Sequence, residues 1–137
     1  MASVENVAAW LGEKVRTDYD LARVVRRGLK LTVLNAFAAR GVTKEEFHNI
    51  VIPARTYKHR KENHQSLSVD ESDKAVRSAR VLAQAEQAFG NSGKALAWLR
   101  KPKARFEGET PMHMLETEAG ARLVEEMLIQ IDEGMFA

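Results

Sequence analysis

Two short segments of the chain carry the same helix-start pattern, a hydroxyl residue followed three positions later by a glutamate. They are Thr43-Lys-Glu-Glu46 and Ser68-Val-Asp-Glu71. In such a capping box the hydroxyl accepts a hydrogen bond from the backbone N–H of the glutamate, and the carboxylate accepts one from the backbone N–H of the hydroxyl residue. Helix signals of this kind occur along almost the whole chain, whereas the alternation typical of strands occurs almost nowhere. The sequence therefore predicts an all-α fold.

Glycine and proline residues mark where the predicted helices end. The pattern predicts about eight short helices, with ends at Gly12, Gly28, Gly41, Pro53, Gly90 and Pro102. The longest helix begins at Ser68, and the last begins at Thr117. In the last helix one wide apolar stripe is predicted to face the core, formed by Leu123, Val124, Met127, Leu128 and Ile131.

Length and composition limit the class of protein. A chain of 137 residues with a hydrophobic content of 45% suffices for one domain, or for two small lobes that share one core. The chain has no cysteine, which excludes disulfides and thiolate metal sites and fits a reducing compartment. No window approaches the roughly 20 apolar residues that a membrane-spanning helix needs, and the first residues lack the pattern of a signal peptide. These features predict a soluble cytoplasmic protein without a membrane partner.

The net charge of +2 hides an uneven distribution along the chain. Lys and Arg outnumber Asp and Glu by 12 to 7 in residues 1–64 and by 8 to 4 in residues 65–105, whereas residues 106–137 hold 1 basic and 8 acidic residues. Such asymmetry points to two different partners, a polyanion for the body of the chain and a basic partner for its end. Unequal charge on solvated helices is the alternative.

The fourth and fifth predicted helices, joined by the tight connection Val51-Ile-Pro53, have the length and spacing of a helix-turn-helix. In that motif the second helix enters the major groove, where cations neutralise phosphates and a few side chains reach base edges. The fifth helix is predicted over residues 54–63. Its candidate DNA-contact residues are Arg55, Thr56, Lys58, His59, Arg60 and Lys61. A solvated basic helix is the alternative.

Other kinds of site find little support. His59 and His64 are five residues apart, not the four that place two metal ligands on one helix face, so no metal site is predicted. Asp70, Glu71 and Asp73 form an acidic first helical turn, which the helix dipole favours without any role in acid–base chemistry. The sequence does not assemble a nucleophile, a base and an orienting group. It therefore predicts neither an enzyme nor a cofactor.

The second half of the chain contains a long ordered series of motifs. In chain order they are Ala85-Glu-Gln-Ala-Phe-Gly90, Lys94-Ala-Leu-Ala-Trp-Leu99, Pro102, Phe106-Glu-Gly108, Thr110-Pro111, Leu115, Thr117-Glu118, Gly120 and Ile131-Asp-Glu-Gly134. The series resembles the toxin-binding domain of the Xre/MbcA/ParS antitoxin family. Upstream, the segments that resemble the Xre-like part of this family are Gly28-Leu29, Arg55-Thr56-Tyr57 and Leu67-Ser-Val-Asp-Glu-Ser72. The resemblance thus covers nearly the whole chain. It implies an Xre-like helix-turn-helix part over residues 1–67 and a toxin-binding domain over residues 68–137, which begins with a long linking helix at 68–89.

The resemblance also implies a function. Members of this family are antitoxins that bind and neutralise a toxin of the RES-domain type, and such toxins resemble ADP-ribosyltransferases and act on NAD. The resemblance would place the last helix and the tail, about residues 125–137, over the NAD cleft of the toxin, whose expected positive charge the acidic end complements. The expected toxin contacts are Glu126, Gln130, Asp132, Glu133, Gly134, Met135 and Phe136.

The resemblance further implies that the upstream part represses the operon of toxin and antitoxin, as a homodimer that matches a palindromic operator. The sequence departs from the family in one place, because many members carry two arginines where this chain has Lys58-His59-Arg60. Histidine lacks the two parallel donors with which arginine grips guanine or phosphate, so DNA binding has less support than toxin binding. The competing interpretation is a plain helix-turn-helix regulator whose C-terminal region only dimerises.

Overall fold

The computed structural model describes residues 2–134, and within this range the regular structure is entirely helical. It consists of α1 (Val4–Leu11), α2 (Asp18–Arg27), α3 (Val33–Ala39), α4 (Lys44–Ile50), α5 (Ala54–Glu62), α6 (Val69–Phe89), α7 (Ser92–Leu99), α8 (Pro111–Met114) and α9 (Glu118–Asp132), with a 3-10 turn at Ala104–Phe106. The all-α prediction is confirmed. The described residues form nine α-helices, in line with the prediction of about eight, and the shortest of them, α8, has four residues.

Both predicted capping boxes are present with the expected hydrogen bonds. The backbone N–H of Thr43 donates to Glu46 Oε1 at 2.9 Å, while the backbone N–H of Glu46 donates to Thr43 Oγ1 at 3.0 Å. Ser68 and Glu71 repeat this exchange at 2.8 and 3.1 Å. Each box satisfies two N–H groups that would otherwise lack a partner at the helix start. The sequence therefore locates the first turns of α4 and α6 correctly.

The long helix α6 lies at the centre of the molecule. It packs against α1, α2 and α4 from the first half of the chain and against α7 and α9 from the second half. The side chains of Trp10, Phe37, Phe47, Leu82 and Leu128 are fully buried in the shared core. A fully buried Leu or Phe side chain contributes roughly 1.5–3 kcal/mol relative to an exposed one. One core thus joins both halves of the chain, and the division between residues 67 and 68 stays a prediction.

The loop between α2 and α3 is fastened to the start of α6. The backbone N–H of Leu29 donates to the buried Ser72 Oγ at 2.9 Å, and the carbonyl of Leu29 accepts from the backbone N–H of Leu67 at 2.9 Å. Gly28 has a φ of +93°, and a Cβ at this position would lie 2.5 Å from the carbonyl oxygen of Leu67. Glycine alone tolerates both conditions. Backbone packing therefore explains the Gly28-Leu29 motif.

Polar groups of α6 fix the position of α9. Arg80 donates hydrogen bonds of 2.9–3.3 Å to the carboxylate of Glu125, and Gln84 Nε2 donates to the carbonyl of Glu125 at 3.2 Å. Arg77 donates to the carbonyl of Leu115, just ahead of α9, at 3.2 Å. These bonds fix the rotation of α9, in which Leu123, Glu126 and Ile129 remain exposed.

One prediction about α9 is wrong. Val124, Met127 and Leu128 are buried as expected and Ile131 is partly buried, but Leu123 is 47% exposed. With about 3.6 residues per turn, a helix face centred on these other four residues leaves position 123 beyond its edge. The apolar stripe that faces the core is therefore narrower than the sequence suggests, and Leu123 lies on the surface.

Candidate functional site

Helix α5 lies on the surface of the helix-turn-helix and buries no residue fully. Its Tyr57 ring packs edge-on against Phe47 and His48 of α4, with centroid distances of 6.4 and 5.5 Å. The Tyr57 hydroxyl donates to the carbonyl oxygen of Leu31 at 3.4 Å. Since Tyr57 points inward, the opposite side of α5 is turned to solvent, which is the orientation that contact with a DNA groove requires.

The turn between α4 and α5 is held by a histidine for which the sequence indicated no role. His48 Nδ1 lies 2.9 Å from the carbonyl oxygen of Ile52, so the ring spans the turn that ends at Pro53. Ile52 is fully buried, and the proline disfavours helical geometry at the residue before it. These contacts set the angle at which α5 leaves α4. No spacing rule in the sequence reports such a side-chain contact with a turn carbonyl.

Most of the predicted DNA-contact residues are accessible on α5. Arg55, Lys58, His59 and Lys61 are exposed and Thr56 is half-buried. None of the three exposed Arg and Lys side chains forms an ion pair with another residue in the range 2–134. Residues three and four apart are neighbours on a helix surface, so Arg55, Lys58 and His59 share one face. This face offers positive charge that no ion pair among the described residues compensates.

Arg60 is engaged within the protein. Its Nε and Nη2 donate to the two carboxylate oxygens of Glu71 at 3.0 and 3.2 Å, and its Nη1 donates to Gln65 Oε1 at 3.3 Å. Burial by itself would raise the pKa of Glu71, but hydrogen bonds from Arg60 and Ser68 outweigh it and hold the pKa below its ordinary value of 4.5. Arg60 thus ties α5 to the first turn of α6, and its DNA contact stays a prediction.

Four of the predicted toxin contacts lie along the second half of α9 and just after it. Glu126, Asp132 and Glu133 are exposed, and Gln130 is half-buried. The side-chain oxygen of Gln130 accepts a hydrogen bond of 2.8 Å from Arg105 Nη1, so the segment before α8 contacts α9 at this point. The structure therefore brings these residues together at one end of the domain.

The remaining predicted toxin contacts follow α9. Gly134 has a φ of +77°, a left-handed conformation that suits the end of a helix and turns the chain away from the helix axis. Met135 and Phe136 lie outside the described residues, and their contacts stay predictions.

Two apolar residues on the outer side of α9 were missed as site candidates by sequence reasoning. Leu123 and Ile129 are 47% and 39% exposed and lie three residues before and after Glu126, so the three share one side of the helix. Apolar side chains that cluster in solvent and are bordered by polar groups mark interaction surfaces. The sequence does contain a signal for this surface, because α9 has apolar residues on two sides and the core can bury only one side.

A groove of about 350 Å³ opens beside the second half of α9. Its lining is Trp98, Pro102, Lys103, Ala104, Arg105, Met127 and Ile131. Lys103 Nζ lies 4.7 Å from the centroid of the Trp98 ring, a cation–π geometry. Burial, followed by repulsion from Lys101, lowers the pKa of Lys103. Met127 and Ile131 of α9 form one wall of this groove, and at about 3.6 residues per turn they lie on a different side of the helix from Ile129.

Within residues 2–134 no group of three or more His, Asp or Glu side chains is arranged to hold a metal ion. None of the helices in that range combines the length and the apolar character needed to cross a membrane.

The two surfaces fall in two segments that match known domain families. Residues 20–80, which include α3 to α5, match the antitoxin Xre-like helix-turn-helix domain. Residues 84–134, which include α9 and its groove, match the antitoxin Xre/MbcA/ParS C-terminal toxin-binding domain. A protein named antitoxin Xre from Pseudomonas putida is 46% identical over 121 residues, which cover 88% of this chain and 76% of that relative. The chain belongs to the Xre/MbcA/ParS antitoxin family.

Two further relatives of this antitoxin carry related names. An antitoxin Xre from Yersinia enterocolitica is 31% identical over 87 residues, which cover 63% of this chain and 59% of the relative. A Prs ADP-ribosylating antitoxin from a Sphingobium species is 26% identical over 129 residues, which cover 86% of this chain and 81% of the relative.

In this Xre-family antitoxin the helix-turn-helix domain and the toxin-binding domain are held by the same helix. Arg60 of α5 reaches Glu71 in the first turn of α6, and Arg80, farther along α6, holds Glu125 of α9. Both candidate surfaces therefore have fixed positions relative to α6.

Proposed function

We propose that this antitoxin neutralises a RES-domain toxin that acts on NAD, and that it covers the active site of the toxin with α9 and the tail. The observation that carries the proposal is the outer side of α9, where Leu123 and Ile129 flank Glu126 within the toxin-binding domain. Desolvated apolar side chains supply much of the affinity of such an interface, and charges around them set its orientation and speed of association.

The charge of the segment supports an NAD cleft as its target. A site that binds the pyrophosphate of a dinucleotide presents positive charge or N–H donors. Residues 106–137 hold 8 acidic residues and 1 basic residue, and Asp132 and Glu133 are exposed where α9 ends. Carboxylates placed in the cleft exclude the dinucleotide, so the antitoxin inhibits by occlusion and needs no catalysis of its own. The name of the Sphingobium relative associates that protein with ADP-ribosylation, which supports a toxin that uses NAD.

Rescue of cells that express the partner toxin tests this mechanism. The full chain is compared with a chain that ends after Asp132, and with the variants Glu126→Lys and Ile129→Asp. All three changes are expected to lower rescue at least about tenfold, because hot-spot changes at an interface commonly cost 2 kcal/mol or more. A cut after Glu125 is unsuitable, since it removes the buried Met127 and with it the fold of the domain.

The matched control is Glu5→Lys, which reverses an exposed carboxylate on α1. This variant should rescue as well as the full chain. Equal rescue by the truncated chain and both α9 variants would show that the occlusion mechanism is wrong.

We propose also that α5 binds operator DNA, as part of a homodimer that acts in the cytoplasm and represses the operon of toxin and antitoxin. Arg55 and Lys58 are exposed on one face of α5 and form no ion pair with any residue from 2 to 134, which supports this role. Each of Arg55→Ala and Lys58→Ala should weaken binding to the promoter and reduce the slope of log K against log salt by about one. Lys94→Ala, which removes an exposed cation from α7, is the control and should leave the slope unchanged.

The competing function is a plain helix-turn-helix regulator whose C-terminal region only dimerises. Such a protein binds its promoter but gives no rescue from any RES-domain toxin encoded beside it. The rescue assay and the promoter assay together separate the two functions, because only the antitoxin passes both.

A further inference from the structure

A second apolar groove, of about 500 Å³, lies between α2 and the first half of α6. Its lining is Asp18, Leu21, Ala22, Val25, Arg26, Val69, Asp73 and Val76. Five of these residues are apolar, and the three charged ones are exposed. None of them is a candidate DNA or toxin contact, so neither proposed partner explains why this apolar groove is exposed.

Large apolar side chains are left in water around this groove. Val69, at the first position of α6, is 50% exposed, and Tyr19 of α2 is 72% exposed. Tyr19 comes three residues before Ala22, which places the two on the same side of α2. The exposed large hydrophobic residues of the described chain fall only here and on α9. Among the described residues the antitoxin therefore has two separate apolar surfaces. The proposed toxin contact explains the one on α9 but not the one beside this groove.

The groove carries charges of both signs. Asp18, Arg26 and Asp73 line the same groove, yet none forms an ion pair within residues 2–134. In a two-fold interface any contact of residue i with residue j of the other copy is accompanied by the reverse contact. Arg26 of each copy can then pair with Asp73 of the other, so that one dimer contains this ion pair twice. Two carboxylates beside an apolar groove disfavour a polyanion such as DNA.

We propose that the groove between α2 and α6 is the surface on which a second copy of this chain docks to form a two-fold dimer. The biological use of this dimer rests on the proposed function, since a palindromic operator requires two copies of α5 in a fixed relation. The first turns of α6 carry Val69 and Asp73 at the groove and, between them, Glu71, whose carboxylate holds Arg60 of α5. Docking at the groove thus sets the position of α5 through a short segment of one helix.

Sedimentation equilibrium of the full chain, without toxin or DNA, tests the proposal. Arg26→Asp and Asp73→Arg each place like charges opposite one another across the two-fold axis. Each is expected to raise the dissociation constant of the dimer about tenfold or more. The double variant exchanges both signs, restores the pairing and should bring the constant back close to that of the unchanged chain. Circular dichroism checks that the helix content of every variant is retained.

Val69→Asp is an independent way to disrupt the dimer, because it places a negative charge in the apolar groove. The variant should still fold, since a carboxylate is favourable in the first turn of a helix. The matched control is Leu123→Asp, which puts the same charge on the other apolar surface and should leave the dissociation constant unchanged. A chain that stays monomeric at all concentrations overturns the proposal. A dimer that resists the groove variants, or that Leu123→Asp alone disrupts, also overturns it.

Failure of the proposed function has a different signature. A dimer that the groove variants disrupt, formed by a chain that neither rescues cells nor binds the promoter, leaves the docking surface in place and removes the antitoxin mechanism. Groove variants that become monomeric, lose promoter binding and still rescue cells support both proposals together.

Discussion

Arg60 and Glu71 are joined by two parallel hydrogen bonds, of 3.0 and 3.2 Å, between α5 and the first turn of α6. The same carboxylate accepts the backbone N–H of Ser68 and so completes the capping box that starts α6. A single side chain therefore both starts the central helix and holds the basic helix against it. The sequence predicts Arg60 as a DNA contact, yet its guanidinium is bonded to Glu71 within the protein.

This pairing predicts different effects for two neighbouring cations of α5. Arg60→Ala removes both bonds to a largely buried carboxylate and is expected to lower the free energy of unfolding by about 1 kcal/mol. Lys58→Ala removes an exposed cation that has no ion-pair partner among residues 2–134. This variant should change the free energy of unfolding by less than about 0.5 kcal/mol. Urea titration measures both. Equal destabilisation by the two variants contradicts the structural role of Arg60.

The first capping box repeats the arrangement with a partner from a distant element. Arg100, directly after α7, donates to the two carboxylate oxygens of Glu46 at 2.8 Å each. Burial by itself would raise the pKa of Glu46, but hydrogen bonds from Arg100 and Thr43 outweigh it and hold the pKa below 4.5. Glu46 and Glu71 are thus two carboxyls whose charged forms the fold stabilises.

These two carboxyls predict a loss of stability in acid. A group whose pKa is lower in the folded state stabilises the fold above its unfolded pKa, and this contribution disappears as the pH falls through the folded pKa. The urea midpoint should therefore fall on acidification below about pH 4.5. The double variant Glu46→Gln and Glu71→Gln should have a lower urea midpoint than the unchanged chain at neutral pH. Its midpoint should also fall less on acidification, because the two titrating carboxyls are gone. If the difference in urea midpoint between the unchanged chain and the double variant is the same at neutral and acidic pH, the prediction is wrong.

Gly120→Ala is expected to destabilise the toxin-binding domain. Gly120 is buried in the first turn of α9, where an added Cβ would overlap the backbone carbonyl of Met114. A backbone atom cannot rotate away as a side chain can, so the cost should reach about 2 kcal/mol or more. Thermal unfolding followed by circular dichroism measures it.

The matched control for that variant is Gly93→Ala in α7. A Cβ at this position comes no closer than 3.4 Å to Asn91 Oδ1, and alanine favours helix by up to about 1 kcal/mol over glycine. The control should leave the melting temperature unchanged or raise it. A melting temperature that Gly120→Ala leaves unchanged would show that the close packing at Met114 has no energetic role.

His59→Arg is expected to strengthen binding to the promoter. His59 is exposed on the same face of α5 as Arg55, and arginine adds a permanent charge and paired donors for phosphate or guanine. The slope of log K against log salt should increase by about one, which fluorescence anisotropy at several salt concentrations measures. Gln87→Arg adds the same charge at an exposed position of α6 outside residues 20–80. If both variants increase the affinity for the promoter equally, the added charge does not act through a DNA contact at position 59.

Much of the local structure follows from the sequence. Thr43, Ser68 and Thr117 start helices through hydrogen bonds to residues three positions ahead, so a short window contains all that is needed. The order of motifs from residue 85 to residue 134 likewise indicated the antitoxin family. The exposed basic side of α5 also follows from the sequence, because a helix that offers no large apolar stripe cannot be buried.

Only the tertiary structure decided which side chains meet across the fold. Arg60 lies 11 residues from Glu71 and Arg100 lies 54 residues from Glu46, separations that no local pattern reports. The exposure of Leu123 depends on the rotation of α9, which Arg80 of α6 fixes from another part of the chain. Helix starts are satisfied within a turn of backbone, whereas burial and ion pairing depend on how distant helices pack, and that arrangement exists only in the folded chain.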